Sequence, residues 1–125
     1  MTILTESRLP EDLRVRGAWA LLFHDILEDT DAALPVGTPV EVVSLVREMT
    51  FEGSDEEMRL VWDRSRECRL LKLYDKVSNM LDGSCFSGDK LERMRLHCLK
   101  LADYVDLEFG SGLNIVRLAR AVCAR

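Results

Sequence analysis

His24, Asp25, Glu28 and Asp29 fall in the single run His24-Asp25-Ile26-Leu27-Glu28-Asp29-Thr30. Imidazole and carboxylate are the groups that ligate divalent ions and move protons near neutral pH. His24 and Glu28 are four residues apart, as are Asp25 and Asp29, so on a helix the second pair lies one turn beyond the first. From there a carboxylate reaches a water on an ion held by His24 and Asp25, and can orient or deprotonate it. The residues just upstream, 18–23, read Ala-Trp-Ala-Leu-Leu-Phe. They have no polar face, which predicts burial on nearly all sides. A charge placed at the end of such a helix costs roughly several kcal/mol unless it is paired. A metal ion is the partner these residue types suit best.

A second set of polar residues stands at Lys72, Asp75, Asn79 and Asp82. Their steps of three and four residues put them on one helical stripe. Leu70, Leu73, Tyr74, Val77 and Met80 or Leu81 form the apolar stripe beside it. Taken alone, Asp75 reads as part of a solvated face, paired with Lys72 or Lys76. Taken with the first run, it is a third metal ligand offered by a second helix.

Both sets need helices to hold them, and the chain supplies helix signals throughout. Pro10 suits a first turn, with Glu11 and Asp12 at the positive end of the dipole, and this helix is expected to reach Asp29. A loop over 30–37 follows, then Thr38 as N-cap and Pro39 as first helical residue of a helix over 40–49. Ser54 and Glu57 are spaced as a capping box and start a third helix carrying Met58, Leu60, Val61 and Trp62. A fourth spans 68–82 with Gly83 as its stop, a fifth 89–109, and a short sixth 113–123. No sustained two-residue alternation, internal repeat or linker is present. The expected fold is all-α, a single domain over 1–125 built as a bundle of five to six helices.

Composition narrows the function classes. With 125 residues, 47% apolar content, seven Gly and three Pro, the chain has material for one real core. A net charge of -5 disfavours a DNA, RNA or anionic-membrane surface. No apolar stretch approaches the ~20 residues of a membrane span. The first residues resemble no signal peptide, and Cys68, Cys85, Cys98 and Cys123 form no Cys-x-x-Cys pair. They read as free thiols, and the expected location is cytoplasmic.

On these two runs the sequence resembles the HD-domain metal-dependent phosphohydrolases, most closely the alarmone hydrolase domains of the RelA/SpoT type. Members carry an apolar helix ending in His-Asp-x-x-Glu-Asp-Thr, then a helix close to Lys-Leu-Ala-Asp-Arg-Leu-His-Asn-Met. Here the second motif stands as Lys72-Leu73-Tyr74-Asp75-Lys76-Val77-Ser78-Asn79-Met80. The likeness covers roughly residues 18–81 in the family's order, including the intervening segment 40–50. It implies an HD-like bundle in which His24, Asp25 and Asp75 are metal ligands and Glu28 and Asp29 the catalytic acidic pair. It further implies that Asn79 contacts the nucleotide or supports the site, and that Lys72 contacts substrate. Manganese is the implied ion, and the implied substrate is a phosphorylated small molecule, a nucleotide of the guanosine alarmone kind.

Tyr74, Lys76 and Ser78 stand where alarmone enzymes favour Ala, Arg and His, and residues 1–23 lack the family's upstream histidine ligand. The chain is therefore expected to be N-terminally incomplete relative to the family, or to have a remodelled three-ligand site, or to be degenerate. His97 is the remaining histidine. It reads as a partly buried, hydrogen-bonded residue of the fifth helix, and as a replacement ligand only if the geometry allows. Trp19 and Trp62 are expected to be core aromatics. Arg64 and Arg66 read as a solvated face able to meet phosphate, and the loop at 84–88 as either an edge of the pocket or only a turn. The function expected is metal-dependent phosphoester hydrolysis, with a catalytically silent helical domain that binds a nucleotide or a partner protein as the alternative. Oligomerisation is compatible with either.

Overall fold

The computed structural model describes residues 3–29, 33–82 and 88–124, without the side chains of Glu28 and Asp29. Among them the chain is all-α, with α1 Glu11–Asp29, α2 Val40–Glu48, α3 Ser54–Leu60, α4 Arg66–Asp82, α5 Gly88–Glu108 and α6 Asn114–Cys123. Short 3-10 turns occupy Ile3–Thr5 and Val61–Asp63. The expected loop residues 30–32, the Gly83 stop, Cys85 and the 84–87 part of the pocket-edge loop lie outside the described residues. No helix among those described is long and apolar enough to cross a membrane. The chain divides into two compact units, Met1–Leu71 and Lys72–Arg125, with α4 running through the division.

In the first unit α1 opens where the proline predicts, the Pro10 carbonyl accepting from the Arg14 amide at 3.0 Å. Its buried side is Leu13, Gly17, Ala20 and His24, a stripe at steps of four, three and four. Gly17 is there for space. A Cβ at that position would stand 2.8 Å from Ile3 Cδ1 and 2.9 Å from Leu71 Cδ2. The glycine thus brings the α1 backbone close to the start of α4. Residues 18–23 are not buried all round, because α1 packs through one face only. Trp19 is 49% and Leu22 50% exposed, so Trp19 is a surface aromatic and not a core one. Trp62 is half-buried, with the Arg69 guanidinium 5.8 Å from its ring centroid.

Two expected caps do not form. Thr38 turns its hydroxyl back to donate to the Pro35 carbonyl at 2.6 Å, and Pro39 takes the N-cap position in extended geometry. Gly53, not Ser54, takes the N-cap position of α3 without a side-chain cap, and Glu56 accepts from the Glu52 amide at 3.4 Å. At Thr38 a competing local turn claims the side chain. The cap that does form was missed. Ser65 Oγ accepts from the Cys68 amide at 3.2 Å, while Glu48 accepts from the Ser65 amide at 2.8 Å and from its hydroxyl at 3.0 Å. The end of α2 thereby fixes the start of α4. Ser65→Ala is expected to cost about 1–2 kcal/mol, read as a lower urea midpoint at unchanged slope.

The second unit holds the remainder of α4 with α5 and α6. Residues 71–77 of α4 are all buried, so Lys72 and Asp75 of its polar stripe are not solvated, whereas Asp82 at its end is exposed. Gly110 and Gly112 turn the chain with positive φ of 104° and 87°. The turn lays α6 against α5 through Ile115, Val116, Ala119 and Val122. Arg120 bridges outside that seam to Asp103 at 3.0 Å. Cys68, Cys98 and Cys123 are free and buried. Burial first, then the neighbouring Cys123, pushes the Cys98 thiol well above its ordinary range, which keeps it unreactive.

Candidate metal centre

His24 closes the buried stripe of α1 and is 3% exposed. Asp25 follows one residue later, a third of a turn round the helix, and its side chain is 65% exposed. The carboxylate expected to be desolvated by the apolar run therefore stands largely in water. Its nearer oxygen is 3.9 Å from His24 Nδ1, beyond hydrogen-bond distance. Asp75 is 8% exposed.

His24 and Asp25 offer an imidazole and a carboxylate from consecutive positions of α1, and Asp75 offers a second carboxylate from α4. One imidazole and two carboxylates suit manganese, zinc or iron, so the donor chemistry fits a divalent ion.

Asp75 also has cations beside it within its own helix. Lys72 Nζ donates to Asp75 Oδ2 at 2.8 Å, and Lys76 Nζ lies 3.5 Å from the same oxygen. Lys72 is 2% and Lys76 6% exposed. The spacing of these three residues makes the pairing legible in sequence, but not its depth. Four lone-pair positions on a carboxylate let it accept from an ammonium and ligate an ion together. Here Lys72, expected at the substrate, orients the Asp75 carboxylate.

Asn79 lies one turn further along α4 and is half-buried. Glu28 and Asp29 are in the last turn of α1, their side chains outside the described set. His97 is 4% exposed on α5 and, among the described residues, does not join the His24–Asp25–Asp75 group. Arg64 stacks 5.0 Å over the Phe51 ring, which accounts for its placement without a phosphate. No protein-family model, curated protein or solved structure matches the chain.

Proposed function

We propose that this chain is a metal-dependent phosphohydrolase of the HD type, acting on a nucleotide or related phosphoester. The observation that carries this reading is the pair of metal-ligating residue types His24 and Asp25 at consecutive positions of α1, with the carboxylate of Asp75 only 8% exposed on α4. A divalent ion bound there, manganese by preference, supplies Lewis acidity toward water and a phosphoryl oxygen. His24 is held by the packed side of α1 and presents its imidazole from a fixed backbone. Lys72 steadies Asp75 through the 2.8 Å ion pair. Glu28 and Asp29, one turn beyond the ligands, are assigned to orient the attacking water and take its proton. Asn79 is assigned to substrate.

The test is metal content by mass spectrometry after incubation with excess manganese, followed by phosphate release from a nucleotide panel. About one equivalent of metal per chain and metal-dependent release are expected. At free manganese 100-fold above its Kd, the chain should also gain about 2.7 kcal/mol of stability, seen as a higher Tm. A chain that stays metal-free in excess manganese overturns the reading.

The Lys72–Asp75 pair favours a second reading, a catalytically silent helical domain. In that case the ammonium satisfies Asp75 in place of an ion, and manganese leaves Tm unchanged.

A further inference from the structure

The outward side of α1 carries Val15, Trp19, Leu22 and Ile26, which are 43%, 49%, 50% and 39% exposed. Their steps of four, three and four make one continuous stripe, opposite the buried stripe that ends in His24. This is the 3.5-residue spacing of a helix that packs on another helix. Scattered exposed apolar residues need no explanation, but four in register on a single helix do. Trp19 is also pre-ordered, stacked on Phe23 with ring centroids 5.5 Å apart and planes 27° from parallel. A tryptophan held in place before contact loses little entropy on binding, the property of an interface anchor.

We propose that this stripe is a dimerisation surface whose occupant is the same stripe of a second copy, packed antiparallel across a two-fold axis. The spacing is symmetric about a point between Ala20 and Leu21. A two-fold axis there sets Val15 against Ile26 of the second copy and Trp19 against Leu22, so large residues meet smaller ones in every layer. The same axis brings Arg16 beside the second copy's Phe23 ring, a cation–π pairing, and opposes the two helix dipoles. Ala18, flanking the seam, leaves room for close approach. The four side chains present on the order of 300–400 Å² of apolar surface per copy. With Arg16, Ala18 and Phe23 included on both sides, the buried total comes to roughly the 1,000 Å² that a specific contact needs.

Sedimentation equilibrium of the full chain tests this. A reversible dimer is expected, with Trp19→Glu and Leu22→Glu each raising the dissociation constant by about 30-fold or more. Leu107→Glu, at an 88% exposed position on α5, should leave it unchanged. The changed side chains on α1 are half in solvent, so far-ultraviolet circular dichroism should match the parent. Leu22→Ala gives a milder weakening should the glutamate variants fail to fold. A chain that is monomeric at about 100 µM, weaker than the affinity range of specific complexes, overturns the proposal. So does a dimer indifferent to all three α1 variants. A monomer that floats with phosphatidylcholine vesicles through Trp19 would assign the stripe to a lipid surface and overturn it equally.

Discussion

Asp75→Ala is expected to lower unfolding free energy by about 3 kcal/mol and to abolish manganese uptake together. The stability loss follows from burial. Lys72 is 2% exposed with its ammonium 2.8 Å from the Asp75 carboxylate, and Lys76 sits 3.5 Å from the same oxygen. Removing one partner of a buried pair leaves a charge in a medium that solvates it poorly, which typically costs about 3–5 kcal/mol. Replacing both partners restores much of this, so Asp75→Ala with Lys72→Met should be more stable than Asp75→Ala alone. Urea denaturation of the two single variants and the double gives the coupling between them, expected at about 2 kcal/mol or more. Manganese uptake is the independent readout. If the double variant recovers stability and still takes up no metal, Asp75 serves both as counter-ion and as ligand. Recovery of stability with metal uptake intact would remove Asp75 from the ligand set.

That dual position of Asp75 also shows how far the sequence could be read. Helix order and boundaries were legible because apolar periodicity and glycine or proline punctuation act locally. Pro10 starts α1, and Gly110 and Gly112 stop α5, through backbone geometry alone. The caps at Thr38 and Ser54 failed because a hydroxyl chooses among several nearby backbone partners, and neighbouring turns decide that choice. Ser65 became a cap through Glu48, seventeen residues earlier, which no local pattern announces. Depth was the least legible quantity. The run 18–23 is apolar all round, yet one side of it faces solvent, whereas Lys72, Asp75 and Lys76 of α4 are buried. Hydrophobicity says which residues can be buried, and the number of packed neighbours decides which ones are. The places of His24 and Asp25 on α1 and of Asp75 on α4 were anticipated from helix signals. The burial of the two lysines beside it was not.

Asp25 reverses the balance of effects expected at Asp75. Its side chain is 65% exposed, so Asp25→Asn should change unfolding free energy by no more than about 0.5 kcal/mol. If Asp25 ligates the ion, the same change replaces a charged oxygen donor with a neutral one in a set of three. Manganese affinity should then fall at least ~100-fold, more than the loss typical of residues that only support ligands. Glu28→Gln separates binding from chemistry. As the proposed proton acceptor one turn beyond the ligands, it should leave manganese affinity within a few-fold and cut hydrolysis by about 10²–10⁴. Isothermal titration with manganese and single-turnover phosphate release, run on both variants, test the two assignments together. An Asp25→Asn chain that binds manganese as the parent does would show that the exposed carboxylate is not a ligand. A Glu28→Gln chain of undiminished rate would move the proton transfer to Asp29 or to solvent. Loss of stability in Asp25→Asn comparable to that in Asp75→Ala would instead mark the His24–Asp25–Asp75 group as a structural network.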